Sequence, residues 1–191
     1  MKKFIHLRGG MAVGKTSTAR QFISRGSFVN EQINVFGKYY PYMYDKQCGI
    51  VVTGRYDDRV CGGLDGRITN KQVMLEYIAK IAKEIGPKYI VFEAVMYGKT
   101  VKFAEDVSAL IGRYGYEYVG ICLLPPLECA SERLAQRNGG KTINWERFSA
   151  QHLQSERSYL ELKKRGYNMR AVDTSRIEKG SMWEIIQKEI E

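Results

Sequence analysis

Residues 9–16 read Gly9-Gly10-Met11-Ala12-Val13-Gly14-Lys15-Thr16, which is a complete G-x-x-x-x-G-K-[ST] phosphate-loop pattern. An apolar run over residues 4–7 precedes this stretch, and a segment with helical spacing follows it. Glycines in such a loop let the backbone adopt positive φ and turn its N–H groups onto phosphate oxygens. The pattern and its strand-loop-helix setting predict a nucleoside triphosphate site; the alternative is an ordinary glycine-rich turn.

The residues of this loop have different expected tasks. The start of the following helix adds partial positive charge and unpaired N–H groups to the anion site. Lys15 is expected to reach the β- and γ-phosphates of ATP, and the Thr16 hydroxyl to take one coordination position on Mg²⁺. We therefore predict that the nucleotide is bound by Gly9, Gly10, Met11, Ala12, Val13, Gly14, Lys15, Thr16 and Ser17.

Composition and length favour one domain over residues 1–191, because a chain of 191 residues with 44% hydrophobic content can bury one good core. No run approaches the roughly eighteen apolar residues of a membrane helix, and the start of the chain lacks a signal-peptide core. We expect a soluble, cytoplasmic protein without a membrane partner. The four cysteines form no C-x-x-C pair, and with only two histidines a zinc site or disulfide framework is disfavoured.

The chain is basic, with 30 Lys and Arg against 21 Asp and Glu, a net charge of +9 and a pI near 9.3. One interpretation is a polyanionic partner such as nucleic acid. The other is that triphosphate binding and solubility account for the excess. Charge alone leaves both open.

Apolar patterns along the chain alternate between strand and helix spacing. Strands are predicted over residues 4–8, 50–53, 89–92, 118–124 and 169–172. Helices are predicted over residues 16–25, 70–85, 101–114, 126–136, 144–165 and 182–190, while residues 26–50 lack clean periodicity. The alternation predicts an α/β P-loop NTPase or kinase fold: a parallel sheet with helices on both faces and a short lid. Ligands should bind beyond the carboxyl ends of the strands, where the loops at 9–14, 54–67 and 93–100 meet.

Glu93 directly follows the four apolar residues of the strand predicted over residues 89–92, which is a Walker B-like arrangement. A carboxylate at this edge can hold Mg²⁺ through water or orient the attacking group, because phosphoryl transfer depends on charge neutralisation and in-line positioning. We predict a catalytic and metal-binding role for Glu93, and the alternative is a solvated residue at a strand end.

Residues 54–67 contain three aspartates, three arginines and four glycines, a composition that is not typical of a core element. Asp65 is flanked by a glycine and a leucine, within a segment flexible enough to bring its carboxylate to an acceptor hydroxyl as general base. Asp57 and Asp58 compete with Asp65 and Glu93 for this role. The alternative is an exposed turn with solvated charges.

Arg133 and Arg137 lie four residues apart on a predicted helix that leads into Asn138-Gly139-Gly140-Lys141. This arrangement predicts a lid over about residues 133–144, whose catalytic arginines neutralise charge on the transferred phosphoryl group. In the alternative, Glu128 or Glu132 pairs with these arginines on a solvated helix.

Five tyrosines are interleaved with cations, a pattern that suits stacking on nucleic-acid bases next to phosphates. The alternative, slightly favoured, is that clustered tyrosines cover the edge of a core. The tyrosines are at positions 39, 40, 42, 44 and 56, and the cations are Lys38, Lys46, Arg55 and Arg59.

Three parts of the sequence together resemble the phage P-loop kinases that include the 5-hydroxymethyluracil DNA kinases. They are Arg8-Gly9 through Thr16, the Gly54-x-Tyr56 element with Cys61-Gly62-Gly63-Leu64-Asp65, and Phe92-Glu93. The resemblance covers most of the chain. It implies ATP-dependent phosphorylation of the hydroxymethyl group of a modified thymine in DNA, as a step toward hypermodified bases. It also implies that Gly9, Gly14, Lys15 and Thr16 hold ATP, and that Asp65 and Glu93 face the acceptor and magnesium.

The leading hypothesis is therefore an ATP- and Mg²⁺-dependent kinase whose acceptor is 5-hydroxymethyluracil in DNA. The enzyme would act on this base after its nucleotide has been extruded from the duplex. The wider group of similar kinases acts on nucleosides and nucleotides. A kinase for a free nucleoside, a nucleotide or another small hydroxyl compound is thus the first alternative. A nucleic-acid-associated ATPase or nucleotide-dependent switch is the second.

Overall fold

The computed structural model describes residues 1–56, 63–64, 67–139, 143–178 and 180–190. Its strands are β1 (Lys2–Arg8), β2 (Val29–Val35), β3 (Lys38–Asp45), β4 (Ile50–Thr53), β5 (Tyr89–Glu93), β6 (Tyr116–Leu123) and β7 (Asn168–Val172). Its helices are α1 (Lys15–Ile23), α2 (Lys71–Lys80), α3 (Val101–Gly112), α4 (Leu127–Arg137), α5 (Trp145–Lys164) and α6 (Glu184–Ile190), and a π-helical turn (Ile81–Ile85) continues α2. Within these described ranges, no helix is both long and apolar enough to cross a membrane.

Within the described residues, one seven-stranded sheet has the order β2-β3-β4-β5-β1-β6-β7. The strands β4, β5, β1, β6 and β7 are parallel, as the alternation of strands and helices predicts. The α/β fold with helices on both faces is thus confirmed. The sheet is not parallel throughout, however, because β2 and β3 add an antiparallel hairpin at one edge.

The hairpin turns at Phe36 and Gly37, whose φ angles are 50° and 81°. Two successive positive φ angles are typical of a type I′ turn, which matches the right-handed twist of the flanking strands. The sequence does not reveal this hairpin for two reasons. In β2 only Ile33 and Val35 are buried, so the alternation is short, and Pro41 interrupts the hydrogen-bonding pattern of β3.

The tyrosine-rich segment lies mostly in this hairpin. Tyr40 and Tyr42 belong to the core, and the hydroxyl of Tyr42 donates to Oε2 of Glu31 at 2.7 Å. These two rings are therefore not available to stack on a base. Tyr39, in contrast, is 68% exposed.

The core has one layer on each face of the sheet, because the side chains of β1 alternate between the two faces. Phe4 packs with the apolar side chains of α2 and α3, whereas Ile5 and Leu7 pack with those of α1, α4 and α6. The long helix α5 contributes to both layers. The two layers hold β1 at the centre of the sheet, so that the phosphate loop leaves it from a rigid strand end.

His6 lies in the same strand, fully buried among aromatic rings, with Nδ1 3.0 Å from the hydroxyl of Tyr118. Among the described residues its Nε2 has no hydrogen-bond partner. Burial, reinforced by the charges of Arg8 and Lys15, lowers the pKa of His6 well below 6.5. The imidazole is therefore neutral in the folded protein.

This burial predicts an acid-sensitive fold. Below about pH 6.5 the histidine of the unfolded chain binds a proton, whereas His6 in the folded protein stays neutral. Acid therefore favours the unfolded state. Relative to His6→Phe, we expect the unfolding free energy of the natural protein to fall by up to about 1.4 kcal/mol per pH unit below that pH. Urea unfolding of both proteins between about pH 7.5 and about pH 5 measures this difference, since the carboxylates common to both cancel. Equal pH dependence in the two proteins would contradict it.

Candidate active site at the phosphate loop

The phosphate loop connects β1 to α1 in a strained, glycine-dependent conformation. Gly9, Ala12 and Gly14 have φ angles of 129°, 58° and 106°. A Cβ atom on Gly9 would lie 2.7 Å from the carbonyl oxygen of Leu123, so only glycine fits there without a shift of the backbone. Gly14 also begins α1, whose first N–H groups have no side-chain cap. The loop thus has the backbone form that the sequence pattern predicts for a phosphate cradle.

Lys15 is folded back across this loop. Its ammonium group is almost fully buried and donates to the carbonyl oxygens of Gly9 at 3.0 Å and Gly10 at 2.6 Å. These acceptors are neutral, whereas phosphate oxygens carry negative charge and add Coulomb attraction to the hydrogen bond. A triphosphate in the loop would therefore be a better partner for the ammonium group than the two carbonyls.

Thr16 and Glu93 meet beside the loop. The Thr16 hydroxyl donates to Oε1 of Glu93 at 2.9 Å, and the Glu93 side chain is buried at the end of β5, the strand next to β1. A hydroxyl and a carboxylate oxygen are the kinds of ligand that Mg²⁺ takes in nucleotide sites. The predicted metal ligands therefore lie together, and their oxygens fit a magnesium ion.

Two further residues surround Glu93. A Cβ atom on Gly63 would lie 2.9 Å from the main-chain oxygen of Glu93 and 3.0 Å from its Oε1, so this glycine allows close packing on the carboxylate. The Tyr56 hydroxyl donates to the carbonyl oxygen of Thr53 at 3.1 Å. Burial, followed by the charge of Glu93, raises the pKa of Tyr56 well above 10. Tyr56 is therefore a neutral donor beside the carboxylate at any physiological pH.

Arg133 reaches the other flank of the loop. Its guanidinium group donates to the hydroxyl oxygen of Thr174 at 2.8 Å and to the carbonyl oxygen of the same residue at 3.0 Å. The Thr174 hydroxyl donates in turn to the carbonyl oxygen of Val13 at 2.9 Å. Arg133 is thus connected to the phosphate loop through one threonine.

The two arginines of the predicted lid therefore differ in environment. Both were expected to face the lid, but Arg133 binds the loop that follows β7 instead. Arg137 is exposed at the last residue of α4. Residues 140–142 of the predicted lid lie outside the described residues. The catalytic roles of both arginines stay predictions.

Three of the four candidates for the general base belong to the glycine-rich segment over residues 54–67. Asp57, Asp58 and Asp65 lie outside the described residues. Their roles, like that of Glu93 as general base, stay predictions.

Sequence reasoning did not single out Thr174, and it named Gly63 only as part of the element over residues 61–65. Thr174 follows the carboxyl end of β7, so the rule that ligands bind at this edge of a parallel sheet was the available signal. Gly63 belongs to the glycine-rich segment that was predicted to approach a ligand. Only the structure shows that it packs against Glu93.

Among the solved structures that the chain resembles are proteins from three organisms. The tunicamycin resistance protein of Deinococcus radiodurans is 15% identical, with a TM-score of 0.58, over 100% of this chain and 96% of that chain. A protein of Chloroflexus aurantiacus that has been proposed to be a kinase is 13% identical, with a TM-score of 0.51, over 98% of this chain and 97% of that chain. The deoxyadenosine kinase of M. mycoides, solved with bound dATP, is 15% identical, with a TM-score of 0.46, over 98% of each chain.

No protein-family model and no curated protein matches the chain. At such low sequence identities, likeness to solved structures is evidence for the fold alone. The mostly parallel sheet, the helices on its two faces and the phosphate loop between β1 and α1 agree with that likeness. The chain therefore has the α/β fold of the P-loop NTPases.

Proposed function

We propose that the protein is a kinase that transfers the γ-phosphoryl group of ATP to the hydroxymethyl group of 5-hydroxymethyluracil in DNA. The observation that carries the kinase assignment is the combination of Lys15 in a phosphate loop with the Thr16–Glu93 pair at the end of the neighbouring strand. The acceptor assignment is supported by the sequence resemblance and by the net charge of +9.

The chemistry follows from these groups. The N–H groups of the loop and of the first turn of α1 bind the phosphates, and Lys15 moves from the carbonyls of Gly9 and Gly10 to the β- and γ-phosphates. Thr16 and Glu93 would hold Mg²⁺, which supplies charge neutralisation when it is bound. The acceptor oxygen forms a bond to the γ-phosphorus as the bond to the leaving ADP oxygen breaks. The hydroxyl proton passes to a carboxylate, for which Asp57, Asp58, Asp65 and Glu93 are the candidates.

The acceptor base has to leave the DNA double helix before it can react. A base in a duplex is stacked and paired, and its hydroxymethyl group cannot approach a phosphate held in a loop of this kind. The nucleotide is therefore extruded from the duplex before transfer. Lys and Arg side chains would hold the flanking phosphates, which makes the reaction sensitive to salt.

The test is to incubate the protein with Mg²⁺ and γ-labelled ATP in the presence of four acceptors. They are a duplex containing 5-hydroxymethyluracil, the same duplex with thymine, free 5-hydroxymethyldeoxyuridine and its 5′-monophosphate. We expect label only in the modified duplex, and less of it as salt rises from about 50 to about 200 mM.

Other outcomes would replace this proposal. Label found only on the nucleoside or the monophosphate would favour the small-molecule kinase. Multiple-turnover hydrolysis of ATP with no labelled acceptor would favour the ATPase. A Lys15→Ala control shows that any label depends on the phosphate loop.

A further inference from the structure

A basic cleft opens between the start of α3 and the middle of α5. Its volume is about 490 Å³, and its cationic lining residues are Lys99, Lys102 and Arg157. Thr100, which precedes α3, and Ser158 on α5 also line it. The proposed transfer chemistry uses none of these side chains.

Among the described residues that line the cleft, three are cationic and one is a carboxylate. Lys102 shares Asp106 with Lys71, and its ammonium group lies 3.1 Å from that carboxylate. Glu161 is the one carboxylate among the described lining residues, and it is paired with Arg165 at 2.8 Å. The described lining residues therefore carry a net positive charge, to which the exposed Arg157 contributes.

Beneath the cleft lies Arg8, a fully buried arginine at the end of β1. Its guanidinium group donates to the Thr100 carbonyl at 3.0 Å and the Ser158 hydroxyl at 2.8 Å, both from cleft-lining residues, and to the Tyr118 hydroxyl at 3.3 Å. These three acceptors are neutral, and among the described residues the Nε of Arg8 has no hydrogen-bond partner. Burying a cation costs free energy unless an anion lies near it. An anion bound in the cleft would provide this compensating negative charge for Arg8.

The cleft also lies next to the phosphate loop. Arg8 is the residue immediately before Gly9, and the Cβ position of Gly98 is 3.5 Å from the Arg8 Cα, which brings the loop before α3 against the start of the phosphate loop. The backbone of α5 passes Gly10, whose Cβ position is 3.8 Å from the carbonyl oxygen of Gln151. Thr174 contacts the phosphate loop at Val13, further along it. A group bound in the cleft would therefore be next to the first residues of the loop.

We propose that this cleft binds a phosphate group of the acceptor. The proposal rests on the kinase function proposed above and adds the chemistry that recognises the substrate. Lys99 and Arg157 contact the phosphate oxygens, and the charge of Arg8 beneath them favours an anion over a neutral group. The phosphate is either a phosphodiester that flanks the modified base in DNA or the 5′-monoester of a free nucleotide.

The test is a binding experiment without ATP, so that it does not depend on phosphoryl transfer. The double variant Lys99→Gln with Arg157→Gln removes two charges from the cleft. The matched control, Lys83→Gln with Arg113→Gln, removes the same two charges from exposed positions on other segments. Circular dichroism and thermal melting check that both variants are folded. The probes are a fluorescent single-stranded oligonucleotide containing 5-hydroxymethyluracil, measured by anisotropy, and the 5′-monophosphate of 5-hydroxymethyldeoxyuridine, measured by calorimetry.

For the phosphodiester, we expect the cleft variant to bind the oligonucleotide about tenfold more weakly than the control, with a salt dependence reduced by about 1.4 in log–log slope for two lost phosphate contacts. For the monoester, the monophosphate affinity falls about tenfold while the oligonucleotide affinity follows the control. The proposal is overturned if the cleft variant binds both probes as tightly as the control. If the natural protein binds a probe more tightly than the cleft variant does but transfers no label to any acceptor, the proposed function fails while the cleft still binds phosphate.

Discussion

Lys15→Ala is expected to lower the rate of phosphoryl transfer by about 10³-fold or more, the largest effect of any single change in the chain. The ammonium group is the one cation that the phosphate loop itself carries, and it would neutralise charge on the group in transfer. Its loss removes an interaction that is strongest in the transition state, so kcat should fall more than nucleotide affinity. The measurements are the transfer rate at saturating ATP and the affinity for ATP by calorimetry.

Two controls separate the charge from the packing of this buried side chain. Lys15→Met keeps most of the aliphatic stem, so it should fold normally and lose as much activity as the alanine variant. Lys83→Ala removes an exposed cation from another part of the chain and should change neither quantity. Retention of more than roughly a tenth of the natural rate in Lys15→Ala would remove the basis of the proposed mechanism.

Glu93→Gln is expected to reduce kcat by about 10² to 10³-fold with little loss of stability. Glutamine has nearly the same shape, and its amide oxygen can still accept from the Thr16 hydroxyl, so the contact at 2.9 Å survives. The negative charge is lost, and the magnesium concentration needed for half-maximal activity should rise. Transfer rates measured over a magnesium titration test both effects.

Thr16 supplies a partner for this experiment. Thr16→Val removes the hydroxyl oxygen and should also raise the magnesium requirement, whereas Thr16→Ser should not. If the two side chains act on one ion, the effects of Glu93→Gln and Thr16→Val in a double variant will be less than additive. Fully additive losses would show that the two residues act separately.

The parallel part of the fold could be predicted from the sequence because each of its strands is a short apolar run between helices with clear periodicity. The run over residues 89–92 followed by Glu93 is the clearest example, and β5 has those bounds with Glu93 included. The hairpin of β2 and β3 could not be predicted in the same way. Its alternation covers only part of β2, and the turn at Phe36 and Gly37 lacks the Asn-Gly or Asp-Gly pair that usually marks a type I′ turn.

The phosphate-binding part of the candidate site could be predicted, because one local sequence pattern contains its residues. Residues 9–16 specify the loop, its backbone form and the lysine without reference to any other part of the chain. The partners of Arg133 and Arg8 could not be predicted, because they come from segments far away in sequence. Thr174 is 41 residues from Arg133, and Ser158 is 150 residues from Arg8. Such contacts depend on how the strands are ordered in the sheet.

The hydrogen bonds of Lys15 within its own loop compete with a phosphate for the ammonium group. The carbonyls of Gly9 and Gly10 accept from the lysine, and a hydrogen bond that involves a charged group contributes about 1.5–3 kcal/mol. A ligand has to exceed that internal interaction, which weakly charged anions such as chloride do poorly and a triphosphate does well. Selectivity for highly charged ligands would then arise before any contact with a nucleobase, as a threshold set by the internal hydrogen bonds of one side chain.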